Sequence, residues 1–126
     1  MAGFSIRGIQ EAQARNAQRI AALKPSGAFG QMIQMTTATL HRFMGTVTHV
    51  ETGALKSAEM MEVSGTRGKI FINPNAVNPK SGERPDDYGV FENARGGEHA
   101  FFDRTQGQAD AAMNQGVHVF LSRFPA

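Results

Sequence analysis

The chain of 126 residues contains no cysteine and no tryptophan, and its formal net charge is only +2. The missing cysteine excludes a disulfide framework, a zinc–thiolate site and a cysteine nucleophile. No apolar run reaches the roughly 18 residues that span a bilayer, and residues 1–7 lack the apolar core of a signal peptide. We therefore expect a single domain, residues 1–126, that is made in the cytoplasm, makes no membrane contact and is stabilised by packing or assembly.

Motifs for catalysis and nucleotide binding are also missing. There is no Walker-type phosphate loop, dinucleotide fingerprint or serine nucleophile elbow. The histidines are scattered, and the nearest approach to a ligand cluster is Glu92, Glu98, His99 and Asp103. We interpret that cluster as surface charge and expect no enzyme activity, no cofactor and no metal; a small metal-dependent enzyme using Glu92, His99 and Asp103 is the least favoured alternative.

Charge is unevenly distributed along the chain. Residues 1–50 carry five basic groups and one acidic group, net +4, whereas residues 51–126 carry eight basic and ten acidic groups, net −2. A net charge of +4 over residues 1–50 falls short of the dense basic stripe of a nucleic-acid-binding protein. It is compatible with solvated helix faces and with non-specific proximity to double-stranded DNA.

The first segment is rich in Ala and Gln and has no proline from residue 4 to residue 23, which predicts a helix. Its larger apolar residues form a thin stripe at helical spacing: Ile6, Ile9, Ile20 and Leu23. A stripe this narrow predicts a helix that lies on the surface or packs against another subunit. Ile6 and Ile9 are therefore candidate interface residues.

The next segment predicts the main helix of the core. Its apolar face follows helical spacing closely, through Phe29, Met32, Ile33, Thr36, Leu40, Phe43, Met44 and Val47.

Alternation in residues 58–64 and 69–73 then predicts an antiparallel hairpin around a four-residue loop. Residues 101–124 predict one long helix, with Gly116 as the place where it would bend or break. The predicted fold class is α+β, with long helices packed on a small antiparallel β-sheet that contains the hairpin, and with residues 28–124 as the core.

Residues 73–87 contain three prolines and almost no apolar side chain, so we expect a long loop that forms neither a helix nor a central strand. Long irregular segments in small domains are often used for binding. We therefore predict that this loop and the segment after it contact a partner, through Asn78, Lys80, Glu83, Arg84, Asp86, Asp87, Glu92 and Arg95.

Two short patches resemble the neck, or tail-completion, proteins of tailed bacteriophages, and the likeness extends over residues 28–120. The first patch is a turn before the hairpin, with Thr52, Gly53, Leu55 and Ser57. The second consists of Tyr88, Phe91, Glu92, Gly96, Gly97, Phe101 and Phe102. The chain departs from the family pattern at residues 93–97, where the family has Gly-Thr, and at Ala100, where it often has proline.

The resemblance implies a structural virion protein that forms a homomeric ring between the capsid connector and the tail, with DNA passing through the bore. Its partners would be copies of itself and the adjacent connector and tail proteins, and its location would be the neck or tail of a particle assembled in the host cytoplasm. Tyr88 and Phe91 would anchor a turn in apolar surface, and the two glycines would allow backbone angles closed to other residues. The alternative is a soluble interaction adaptor outside virions.

Overall fold

The computed structural model describes residues 6–49 and 53–125, so Thr52 and the side chains of Ile6 and Arg7 lie outside the description. The helices are α1 (Ile6–Leu23), α2 (Ala28–Val47), α3 (Ala54–Ala58), α4 (Pro85–Ala94), α5 (Phe101–Gln106) and α6 (Ala109–Arg123), and the strands are β1 (Glu59–Ser64) and β2 (Arg67–Ile72). The two strands pair antiparallel. The predicted α+β class, helices on a small hairpin sheet, is confirmed. No helix in the described ranges is both long and apolar enough to cross a bilayer.

Helix α2 is the centre of the fold, as its apolar periodicity predicts. It contacts α1, α5, α6 and both strands. Met32, Ile33 and Met44 are buried along it, while Phe43 is only partly buried. The Phe29 ring meets the Phe120 ring edge to face, with centroids 5.8 Å apart, which joins the start of α2 to the end of α6.

The most buried apolar cluster brings together residues that are distant in sequence. Met44 and Phe101 are each 2% exposed and Leu55 is 7% exposed. Partly buried apolar side chains surround these three: Val47, Ile70, Ile72 and Tyr88. The hairpin, α3, α4 and α5 are thus held against the second half of α2.

The hairpin has a shorter loop than predicted. Ser64 pairs with Arg67, which leaves Gly65 and Thr66 as a two-residue connection. Gly65 has a φ of 62° and no non-glycine residue in the described ranges has a positive φ. Glycine at the first position with positive φ is typical of II′ turns, whose twist matches that of the strands, so pairing continues to the turn.

The prediction that residues 73–87 form no helix is wrong for their last three residues. Pro85 is the first residue of α4, where the amide hydrogen that proline lacks would have had no partner within the helix. Asp86 and Asp87 lie in the first turn, where carboxylates interact favourably with the helix dipole. As a result, Tyr88, Phe91 and Glu92 lie on a helix, not in the predicted turn.

The last predicted helix is divided, but at a different glycine. Helix α5 ends at Gln106, and α6 begins at Ala109 and passes through Gly116 without a break. A Cβ at Gly116 would lie 3.3 Å from the Met32 side chain and still closer to the Thr36 hydroxyl. Gly116 therefore allows α6 to approach α2 closely, which compensates for its low helix propensity.

Glu59 is a buried carboxyl at the start of β1 and is 6% exposed. Its carboxyl oxygen is hydrogen-bonded to the Thr48 hydroxyl, and its backbone oxygen accepts a 2.9 Å hydrogen bond from His41 Nε2. Burial raises the pKa of Glu59, and the Thr48 hydrogen bond and the charges of His41 and Lys56 oppose this only in part. Folding thus shifts this carboxyl toward its protonated form relative to an exposed glutamate.

Glu59→Gln is expected to raise the Tm at about pH 7 and to change it little at about pH 4. Because the folded-state pKa is raised, the protonated carboxyl stabilises the fold at pH below its ordinary value of 4.5, and this contribution is lost as the pH rises through the folded-state pKa. A neutral amide does not ionise. Thermal melts at both pH values check this, with Glu62→Gln, on the exposed part of the same strand, as the control. A Tm that rises equally at both pH values would contradict it.

Candidate functional site

Helix α1 exposes its apolar stripe. Residues 8–18 are all exposed, and Ala22, against α2, is the buried member of the described α1 side chains. Ile9, Ile20 and Leu23 are 45%, 58% and 52% exposed, and their spacing places them on one side of the helix. We call these three residues the α1 stripe. The predicted surface helix is observed, and none of the described residues covers its apolar side. The side chain of Ile6 lies outside the described residues.

A second apolar surface is formed by residues from the second half of the chain. A cavity of about 270 Å³ is lined by Ile72, Asp86, Gly89, Val90, Asn93, Phe101 and Phe102. Val90 is 68% exposed and Phe102 is 45% exposed. Phe91, next along α4, is 74% exposed. We call the cavity and its rim the α4–α5 groove.

The segments that carry the two surfaces have opposite net charge. Residues 6–23 contain three basic groups and one acidic group, net +2. Residues 85–106 contain five acidic and two basic groups, net −3. Complementary charge of this kind steers association and favours one orientation of two partners.

The loop between β2 and α4 is ordered by its own hydrogen bonds. Asn78 donates its backbone N–H to the Glu83 carbonyl and accepts from the Gly82 N–H, both at 2.8 Å. Its side-chain oxygen accepts from the Lys80 N–H at 2.9 Å, and its amide donates to the Tyr88 hydroxyl at 3.4 Å. Asn78 is 8% exposed. The side chain of Asn78, a predicted interface residue, thus shapes the loop and offers little surface to a partner.

The other predicted contact residues of this segment remain accessible. Lys80, Glu83, Arg84 and Asp87 are exposed, and Asp86 is partly exposed. The Arg84 guanidinium lies 3.5 Å from Asp86 and 3.9 Å from Asp87. Exposed ion pairs of this type contribute little to stability. These side chains form the rim beside the start of α4.

The residues that carry the family resemblance divide into core and surface. Leu55 and Phe101 are buried in the main cluster, and Tyr88 packs against it. Gly53 precedes α3 with a φ of 81°. Phe91 does not anchor in apolar surface as expected, because its position on α4 turns it to solvent.

The double glycine reverses the chain after α4. Gly96 and Gly97 have φ values of 74° and 56°, a region that residues with a Cβ rarely adopt, as expected. The reversal brings His99 back onto Glu92, and His99 Nδ1 lies 2.7 Å from Glu92 Oε1. Arg95 Nη1 lies 3.2 Å from Glu92 Oε2. The acid that the sequence assigned to an interface is thus held within the chain on both oxygens, although Arg95 itself is exposed.

The pKa of Glu92 is lowered. Partial burial acts to raise it, but the hydrogen bonds and charges of His99 and Arg95 outweigh burial. The side chain is therefore ionised in the folded protein, and its contribution to stability is lost as the pH falls through the folded-state pKa.

His49 joins this pair from the end of α2. Its ring centroid lies 4.7 Å from that of His99, and one donor atom each of His49, Glu92 and His99 lie within 4.8 Å of one another. The sequence predicted a cluster of Glu92, His99, Glu98 and Asp103. Glu98 does lie 3.7 Å from His99 Nε2. The group of three possible metal ligands in the described ranges, however, contains His49 in place of Glu98 and Asp103. No sequence signal links His49 to residues so far along the chain.

Asn93 is a second residue that the sequence analysis missed. Its side-chain oxygen accepts 3.0 Å hydrogen bonds from the backbone N–H groups of Phe102 and Asp103. These are first-turn amides of α5, which have no partner within the helix. Asn93 therefore fixes the angle between α4 and α5 and, with it, the α4–α5 groove.

Comparisons of the chain with protein families, with curated proteins and with solved structures found no match.

Proposed function

We propose that this chain is a structural protein of the neck of a tailed phage or phage-like particle, where copies form a homomeric ring through which double-stranded DNA passes. The observation that carries the proposal is the presence of two unlike exposed surfaces, the α1 stripe and the α4–α5 groove, on segments of opposite net charge. The turn before β1 and residues 88–102 resemble phage neck proteins, and this resemblance is the reason for assigning the ring to a phage or phage-like particle.

Two unlike complementary surfaces favour a closed ring. A head-to-tail contact uses a different surface on each partner, and repetition closes into a ring when the rotation allows it. Helix α1 has 18 residues, which corresponds to a length of about 27 Å. It is long enough to reach from one subunit body onto the next, with Ile20 and Leu23 near the parent subunit and Ile9 farther out.

The same arrangement explains why Val90, Phe91 and Phe102 are exposed. Large apolar side chains clustered on a surface indicate a contact site. In a ring they would be covered by the α1 stripe of the neighbouring subunit. The exposed rim at Lys80, Glu83 and Arg84 is left for the adjacent connector or tail protein.

Deletion of the gene from the phage or phage-like genome that encodes it is expected to leave DNA-filled heads and separate tails, because the ring that joins them is missing. Electron microscopy of lysates and infectious titre measure this, and a plasmid copy should restore joined particles. Normal infectious particles from the deletion strain would refute the particle role.

A further inference from the structure

We propose that His49, Glu92 and His99 form a binding site for one divalent late transition-metal ion, with zinc as its representative. The inference rests on the convergence of these side chains and does not depend on the proposed neck function. His49 follows the end of α2, Glu92 belongs to α4, and His99 ends the 3₁₀ turn Gly97–His99. Three separate elements thus bring two imidazoles and a carboxylate together within 4.8 Å.

The type of donor selects the class of metal. Two imidazole nitrogens and one carboxylate oxygen suit zinc, cobalt, nickel or copper, whereas magnesium and calcium prefer oxygen ligands alone. Three protein ligands with a remaining open position are typical of non-structural zinc sites. A carboxylate oxygen of Glu92 and one nitrogen of each neutral imidazole ring can each offer a lone pair.

The local geometry holds the ligands near the arrangement that a metal requires. Donors around one tetrahedral zinc ion lie roughly 3.4 Å apart. Side-chain rotations must therefore bring the most distant pair closer by about 1.4 Å and open the hydrogen bond between His99 Nδ1 and Glu92 Oε1. Arg95 and the Gly96–Gly97 reversal position Glu92 and His99, and these supports lie outside the ligand set. His49 is the exposed member, and its rotation meets the least resistance.

Space for further ligands lies beside the cluster. A cavity of about 100 Å³ is lined by His49, Gly53, Leu55, Asn78, Tyr88, Glu92 and Arg95. A water molecule occupies about 30 Å³, so the cavity has room for the waters that would complete the coordination of the ion. The Tyr88 hydroxyl and the Arg95 guanidinium offer hydrogen bonds on that side.

Calorimetric titration of the 126-residue chain with zinc chloride tests the site, after removal of any purification tag and treatment with a chelator. We expect saturable binding of about one zinc ion per chain. At free zinc about a hundredfold above the Kd, the Tm should rise by about 10 °C. Magnesium at the same free concentration should leave the Tm unchanged, and an equal response to magnesium would overturn the assignment of nitrogen ligands.

Matched variants locate the site. His49→Ala and Glu92→Gln should each weaken zinc binding at least about tenfold, because each removes one of three ligands. His118→Ala, at an exposed histidine of α6, and Glu62→Gln, at an exposed glutamate of β1, should bind zinc like the wild type. Because His49 is exposed, its variant is expected to fold, and circular dichroism checks this. The proposal is overturned if the wild type shows no stoichiometric binding, if His49→Ala binds zinc normally, or if the two controls lose as much affinity.

Discussion

Phe101→Ala is expected to lower the free energy of unfolding by about 3 to 5 kcal/mol. The ring is 2% exposed and lies in the cluster with Met44 and Leu55. Truncation removes a large apolar side chain and leaves a cavity where α2, α3 and α5 meet, and none of these elements can move inward freely. Urea unfolding followed by circular dichroism measures the loss.

Phe102→Ala provides the matched control, because the neighbouring ring is 45% exposed. Its removal is expected to cost about 1 kcal/mol or less in the monomer. Equal destabilisation by the two variants, or a cost below about 1 kcal/mol for Phe101→Ala, would show that the centre of the core is wrongly placed. Phe102 also lines the α4–α5 groove, so its variant should affect assembly more than folding.

The double variant Ile9→Asp with Ile20→Asp is expected to abolish ring assembly and to leave the subunit folded. Fully burying an isoleucine side chain contributes about 1.5 to 3 kcal/mol, and about half of each side chain is still exposed in the subunit. The loss of both therefore corresponds to association at least about tenfold weaker. The added carboxylates would also face the acidic residues 85–106 of the neighbour. Sedimentation of the purified subunit and complementation of the deletion strain measure the effect.

The control for this variant adds the same charge to the other side of α1. Ala14 and Gln18 are exposed and lie on the side of the helix away from the α1 stripe. Ala14→Asp with Gln18→Asp should therefore complement the deletion nearly as well as the wild type. Complementation by the stripe variant, or equal failure of the two variants, would contradict a role for the α1 stripe. Because complementation is scored in the particle, the test also applies if subunits assemble only on their neighbours.

Parts of the fold that depend on residues close together in the sequence could be predicted, and parts that depend on residues far apart could not. The periodicity of α2 and the alternation in β1 and β2 are local, and both predictions are confirmed in the structure. Helix α4 was missed although its start carries a local signal: Pro85 followed by Asp86 and Asp87 is a typical helix beginning. Because prolines also lie upstream of Pro85, the whole of residues 73–87 was predicted to be a loop.

The division between α5 and α6 shows where local reasoning stops. Gly107 and Gly116 have the same intrinsic propensity, yet the helix is interrupted at the first and continuous through the second. Gly116 faces Met32 and Thr36 on α2, and that close contact favours the helix there. No property of the sequence around Gly116 reveals its partner.

The candidate sites divide in the same way. The thin stripe of α1 and the weak charge asymmetry can be read from the amino-acid order, because they depend on helical spacing and composition alone. The tertiary structure decided that the stripe is left uncovered by residues 6–49 and 53–125, that Phe91 faces solvent and that Asn78 is buried. It also placed His49 beside Glu92 and His99. These features depend on contacts between elements distant along the chain, and such contacts exist only once α2, α4 and the hairpin have packed together.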